Sequence, residues 1–351
     1  MKIAITADAH LRTGVEYPER YNALENVFEQ TVGAGIENLI IAGDLFDKDF
    51  QSYSEFEALC RRFPALQLHL IPGNHDPSIS GKSITGNNVH IYTEPTAREF
   101  NSVTFLFIPY EEGVTMGEKI AHMELEIDGK NWILIGHGDF YGGVREPNPL
   151  EPGTYMPLSR NDLGRFKPRT VFLGHIHKAH SPIDHVTYIG SPCGLDISET
   201  GRRSFIVYDT ADGNIETRVI KTDVLYFKES FLILPRNTEV PLLEQEIAGR
   251  IQAWDIEPSD YPQVQLRVKA SGYAQDRSAV LMALEAGFAG FRSFKDERPS
   301  IDDLSVSSDD QLEAIAERTM KLIEQLDWSL GGDEPTKEQV EIAALSVIYG
   351  D

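Results

Sequence analysis

The 351-residue chain has only two cysteines, Cys60 and Cys193. That is too few for a disulfide framework or a thiolate metal cluster, so both are expected to be packing residues in a reducing compartment. No stretch approaches the roughly 18 consecutive apolar residues of a membrane span. The opening MKIAITADAH has only a short apolar run before Asp8, unlike an export signal, and a cytoplasmic location is the expectation. Basic residues are scarce: 32 Lys and Arg face 55 Asp and Glu, a net charge of −23. This excludes nucleic-acid binding through bulk positive potential, but not an enzyme whose bound cations neutralise its site locally. Residues 301–351 carry 13 acidic and 3 basic residues, a net of −10, which reads as a solvated acidic face or a docking surface for a basic partner.

What the sequence does have is one strand ending used five times. An apolar run closes in a short turn bearing a metal-ligating side chain in KIAITADAH (Asp8, His10), ENLIIAGDLFD (Asp44), LHLIPGNHD (Asn74, His75), NWILIGHGD (His137) and TVFLGHIH (His175, His177). Between the first of these lies PERYNALENVFEQTVGAG, with Pro18 at a helix start, Leu24, Val27 and Phe28 at helical spacing, and glycines at the end. Strand and helix alternate, as in layered α/β folds, whose ligands bind beyond the carboxyl ends of the strands. Five strand ends then deliver carboxylates, imidazoles and a carboxamide to one crevice. A mixed oxygen and nitrogen set of seven suits transition-metal ions, and suffices for two of them sharing a carboxylate, for which Asp44 is the natural bridge. Glycine beside the ligand in GD, GN and GH permits tight turns and close backbone approach.

In that order, Asp8-x-His10, GDLFD, GNHD, GHG and GHIH resemble the motif series of calcineurin-like metallophosphoesterases. The resemblance implies a four-layer α/β/β/α sandwich around two divalent ions, with Mn2+ the implied metal. Asp8, His10, Asp44 and His177 would hold one ion and Asp44, Asn74, His137 and His175 the other, leaving His75 as the catalytic histidine; Asp76 either orients it or stabilises its loop. GDLFD lacks the Arg-Gly that follows in protein Ser/Thr phosphatases, and Asp76 stands where they have glutamate. Both features are similar to the SbcD nuclease family, as is YIGSPCGLDISETGRRSFIVYD at residues 188–209. Asp47 fits the bacterial branch of that family and is read as a turn-stabilising side chain. The family implies an enzyme acting on double-stranded DNA, at ends or hairpins, as a homodimer with an SbcC-type coiled-coil ATPase. Two alternatives compete: a phosphodiesterase or phosphatase on a small phosphoester, and a DNA-end tether or ATPase scaffold.

The remaining histidines have ordinary expectations: His69 packed in its strand, His90 and His122 isolated, His180 and His185 at the surface. Trp132 and Phe172 are expected in the core. The domain reading is 1–222 for the phosphoesterase, 223–300 for a small α/β capping domain and 301–351 for an acidic linker plus a pair of C-terminal helices. In the capping domain Arg267 and Lys269 lie on a polar strand face, solvated or touching phosphate. KDERPSIDDLSVSSDD reads as the linker. After it, Leu312, Ile315, Ala316, Ile323 and Leu326 mark one amphipathic helix. Thr336 with Gln339 caps a second that carries Val340, Ala343, Ala344, Val347 and Ile348. The resemblance assigns these helices to the ATPase; the alternative is packing on their own chain.

Overall fold

The computed structural model describes residues 1–48, 53–141, 153–235, 238–307, 310–326, 328 and 335–349. It divides into two compact units: Met1–Gly194 with Arg202–Asp223, and Leu195–Gly201 with the chain from Val224 onward.

The first unit runs β1 (Lys2–Thr6), α1 (Pro18–Gly33), β2 (Asn38–Ala42), α2 (Ser54–Arg62), β3 (Gln67–Ile71), β4 (Val89–Ile91), β5 (Thr96–Phe100), β6 (Val103–Ile108), α3 (Met116–His122), β7 (Trp132–His137), α4 (Arg160–Phe166), β8 (Thr170–Gly174), β9 (His180–Ile183), β10 (Val186–Tyr188), β11 (Ser204–Asp209) and β12 (Ile215–Val219). Two six-stranded sheets result, ordered β12-β11-β1-β2-β3-β4 and β9-β10-β8-β7-β6-β5. The strands that end in ligand loops run parallel to one another within each sheet: β1, β2 and β3 in the first, β7 and β8 in the second.

Side-chain alternation sets the layers. Ile3, Ile5 and Ile40 from the first sheet meet Phe105, Phe107, Ile133, Ile135 and Phe172 from the second in one inter-sheet core. The intervening residues Leu106, Ile108, Leu134, Val171 and Leu173 form a separate core with Met116, Ile120, Leu163 and Phe166 from the helices. β6, β7 and β8 are buried on both faces, which is why VTFLFI, WILIGH and TVFLG are continuous apolar runs. α1 starts with Pro18 in its first turn, where the missing N–H costs nothing, and buries Leu24, Val27 and Phe28. This is the expected α/β/β/α sandwich. Trp132 and Phe172 are core residues, and the Trp132 indole N–H donates to the Phe166 carbonyl at 3.2 Å. Cys60 and Cys193 are buried free thiols, and burial pushes Cys60 up to about 12.

The second unit contains β13 (Leu225–Ile233), α5 (Glu239–Ala253), β14 (Val264–Ala274), α6 (Arg277–Gly287), β15 (Arg292–Ser293), β16 (Ser300–Val306), α7 (Asp310–Glu324) and α8 (Lys337–Tyr349). Its sheet is parallel throughout, with β14 pairing β13 on one side and β15 then β16 along successive stretches. Trp254 stacks on Phe227 at 4.2 Å, and its N–H donates to buried Glu229 at 2.6 Å.

Here one expectation is corrected. SIDDLSV, read as linker, is the strand β16. Only Leu304 of its side chains is buried, so backbone pairing to β14 holds it and no apolar pattern announces it. Arg267 and Lys269 are engaged within the unit: Arg267 makes a two-point pair with Glu297 (2.9 and 3.0 Å), and Lys269 lies 2.6 Å from Asp303. The cap at Thr336 forms, its N–H donating to Gln339 at 2.8 Å. Ala316 and Leu345 pack with Tyr273, which stacks on Tyr349, while Ile315, Leu322, Leu326 and Val347 stay exposed. Among the described residues no helix is long and apolar enough to cross a membrane.

Candidate metal centre

The loops after β1 and β2 are zipped together by backbone hydrogen bonds. The N–H of Asp8 donates to Gly43 O at 3.1 Å and that of His10 to Asp44 O at 2.9 Å. Holding their side chains in one place bends the chain into the left-handed region at Asp8 (φ 54°), His10 (φ 45°), Asp44 (φ 49°) and His175 (φ 90°). Such conformations cost about 1–3 kcal/mol each and persist where the surroundings enforce them, as at functional sites. Two glycines show how crowded the crevice is. A Cβ on Gly73 would stand 2.1 Å from Asp44 Oδ1, and one on Gly43, itself at φ 89°, 2.1 Å from His137 Nδ1.

All seven expected ligands converge. Asp8, His10 and His177 place ligand atoms within 4.8 Å of one another, as do Asp8, Asp44 and His137. His10 Nε2 and His177 Nε2 are 3.0 Å apart. Across the crevice, Asn74 Oδ1 lies 2.9 Å from His137 Nε2 and 3.2 Å from His175 Nδ1. Asp44 Oδ2 stands between the groups, 3.6 Å from His10 Nε2 and 3.3 Å from His137 Nε2.

The residues present fit a cation. His137 Nδ1 lies 2.9 Å from Ala42 O, an acceptor only, so Nδ1 donates and Nε2 turns its lone pair inward. In that neutral form the lone pair, Asn74 Oδ1 and Asp44 Oδ2 are three acceptors meeting, and either a cation or, in its place, a proton on Nε2 has to stand between them. Asp8 Oδ2 is buried with no hydrogen-bond partner among the described residues, although its Oδ1 accepts from the His175 N–H at 2.9 Å. Burial raises the Asp8 carboxyl above its ordinary range. Burial opposes the charge of Asp44 too, but His137 and His10 hold its carboxyl well below the usual range. Burial likewise opposes a proton on His137, yet Asp44 beside it lifts that histidine to about 9. The crevice demands positive charge at its centre.

His75 stands beside the ligands on the Asp8 side. Its ring meets His10 edge-on at 4.6 Å, and its backbone N–H donates to Asp44 Oδ1 at 2.8 Å. Of the two roles open to Asp76, the structure shows the loop-stabilising one. Asp76 is turned away into two backbone N–H groups, Gly73 at 2.7 Å and Phe46 at 3.0 Å, so it ties the second and third loops together. Burial and Asp44 push its carboxyl up to about 7. Asp47 meets His75 instead, its Oδ1 3.2 Å from Nδ1. Oδ2 of Asp47 accepts from Arg12 Nε at 2.6 Å and Arg20 Nη1 at 3.2 Å, and Arg20, buried, also donates to the His10 carbonyl. Burial opposes the charge on Asp47, but hydrogen bonds to His10 and His75 hold its carboxyl well below the usual range.

Sequence reading missed Asp47 as the partner of His75, along with Arg12, Arg20 and Asp139, whose Oδ1 lies 3.8 Å from His175 Nε2. Asp47 and Asp139 sit three and two residues beyond ligands, the one clue available. Behind His177, the Ser191 N–H (3.0 Å) and Arg203 Nη1 (2.9 Å) both donate to its carbonyl, so these two residues of the 188–209 stretch buttress the last ligand loop. His69 is packed as expected, stacked on His90 at 5.0 Å, while His122 and His185 are exposed.

Residues 1–179 match the calcineurin-like phosphoesterase family. The chain belongs to that family. Members use divalent metal ions, consistent with the donor groups gathered here. Among curated relatives, the chain is 25% identical over 229 residues to the uncharacterized metallophosphoesterase YhaO of Bacillus subtilis, across 59% of this chain and 54% of that protein. It is 27% identical over 237 residues to exonuclease subunit 1 of Enterobacteria phage T4, across 60% of this chain and 65% of that one. The alignments thus span less than two thirds of either relative. A solved structure from Thermus thermophilus aligns with a TM-score of 0.42 at 14% identity, covering 63% of this chain and 99% of that one.

Proposed function

We propose that this metallophosphoesterase is a metal-dependent DNA nuclease that hydrolyses phosphodiester bonds at DNA ends or hairpins, an SbcD-type subunit working as a cytoplasmic homodimer with an SbcC-type coiled-coil ATPase. The observation that carries the hydrolytic part is Asp44 Oδ2 between two donor groups, with His75 beside them. Asp8, His10, Asp44 and His177 would hold one divalent ion and Asp44, Asn74, His137 and His175 a second, Mn2+ in this reading. When bound, such ions lower the pKa of water and polarise the phosphoryl oxygens. Asp47 accepts the Nδ1 proton of His75, which fixes the ring and directs proton transfer to the leaving oxygen through Nε2. Arg20 and Arg12 hold Asp47 to that task. The phage T4 relative named as an exonuclease subunit supports a nuclease over other phosphoesterases.

The exposed Ile315, Leu322, Leu326 and Val347 of α7 and α8 support docking of the ATPase there. Removing residues 308–351 is expected to abolish co-purification with that ATPase while hydrolysis persists; unchanged co-purification contradicts the assignment. A second reading, hydrolysis of a small phosphoester, is favoured by the net charge of −23 and by the internal pairing of Arg267 and Lys269. Mn2+-dependent degradation of linear double-stranded DNA, lost in His75→Ala, supports the nuclease reading. Hydrolysis of a simple phosphodiester without DNA cleavage, even with the ATPase added, supports the second.

A further inference from the structure

Beside the crevice two arginines share one carboxylate. Arg12 and Arg20 both donate to Asp47 Oδ2, and both guanidinium groups lie over the Tyr17 ring, at 5.4 and 4.8 Å. One carboxylate cannot neutralise two guanidinium groups. Arg20 is buried, with 8% of its side chain exposed, and is also used on the His10 carbonyl; Arg12 is 42% exposed. The surplus charge therefore reaches solvent through Arg12. Asp47 engages the Nε edge of a planar fork with five donors, a shape that matches phosphate. The same carboxylate touches His75 on its other oxygen at 3.2 Å, so guanidinium and imidazole stand one carboxylate apart.

We infer that Arg12 is a substrate-binding residue that takes the phosphate next to the one being hydrolysed, and so favours a polymeric phosphodiester over a single one. This rests on the phosphodiester-hydrolase reading above and adds a reason why a chain of net charge −23 can accept nucleic acid: the cation is placed at the rim, not spread over the surface. Asp47 fixes the arginine in advance, so little side-chain freedom is lost when phosphate binds.

The test compares an oligonucleotide with bis(p-nitrophenyl) phosphate, which offers one phosphate only. Arg12→Gln is expected to lower kcat/KM on the oligonucleotide about ten-fold more than on the small diester, the size of one charge-assisted hydrogen bond. The logarithmic salt dependence of oligonucleotide binding, measured in a His75→Ala background, should lose about one unit of slope. Arg12→Lys keeps the charge and should restore the slope but only part of the rate. Equal losses on both substrates, or an unchanged salt slope, overturn the inference while leaving the hydrolase reading intact. Wild-type protein that hydrolyses the small diester but never the oligonucleotide defeats the DNA reading, and this inference with it.

Discussion

The two units are built from the same parts, parallel strands joined by helices, and differ in what happens where a strand stops. In the first, β1, β2, β3, β7 and β8 end in loops that surrender backbone comfort, four residues at positive φ, to bring seven donors into one buried crevice. In the second, the basic side chains of β14 are paired off: Arg267 with Glu297, Lys269 with Asp303. Strain and unsatisfied acceptors mark the first unit as the place where a ligand completes the structure. Among the described residues of the second unit no such set of donors gathers, and what stands out instead is its exposed helical residues.

Substitutions sharpen that contrast. The largest effect is expected at Asp44→Asn, which should remove detectable phosphodiester hydrolysis and the Mn2+-induced rise in Tm, whereas Asp303→Asn in the second unit should change neither; equal tolerance of both would erase the distinction. Next comes His75→Ala, expected to lower kcat about 10²–10⁴-fold while calorimetry still finds metal bound. A mutant that loses metal as well would make His75 a ligand.

Glycines give a matched pair. Gly73→Ala places a Cβ 2.1 Å from Asp44 Oδ1 and should cost about 1–3 kcal/mol in stability along with most activity. Gly249→Ala in α5 meets nothing within 4 Å and should gain about 0.5–1 kcal/mol from helix propensity. Denaturant unfolding distinguishes these outcomes, and a neutral Gly73→Ala would mean the loops are looser than described.

A last effect concerns acid and leaves the chemistry of the crevice untouched. Burial, with the neighbouring His90 and Arg98, depresses His69 from 6.5 to about 3. Neutral His69 suits its partners, since Nε2–H can donate to Asn38 Oδ1 at 3.0 Å while Nδ1 accepts from the Tyr92 hydroxyl at 2.8 Å. The unfolded chain takes up this proton first, so the contribution is fully present above about pH 6.5 and falls as pH drops toward 3. About 2 kcal/mol should be lost by pH 5. His69→Gln should show a shallower decline; an equal decline would assign the acid sensitivity elsewhere.

How much was legible follows from where each constraint lies along the chain. The ligands were readable because each sits at a fixed offset from a doubly buried strand, so β7 and β8 announce His137 and His175 within a few residues. The glycines beside them were readable for the same reason. The group that orients His75 was not: Asp47 is 28 positions away, and choosing it over adjacent Asp76 requires knowing that the Gly73 and Phe46 N–H groups have already taken Asp76. Arg12 and Arg20 were invisible because a basic residue in the loop before a helix, or in the helix's first turn, has no periodicity to betray its partner. β16 escaped notice because an acidic edge strand, held by backbone bonds with one buried side chain, has the composition of a loop.

The central claim is that the first unit's strand ends form a two-cation site bridged by Asp44. Anomalous diffraction from crystals of the full chain grown with Mn2+ tests it most directly. The account predicts two peaks flanking Asp44 Oδ2, one toward His10 and His177 and one toward Asn74, His137 and His175. A single peak with Asp44 terminal, or manganese bound elsewhere while the crevice stays unchanged, would contradict it.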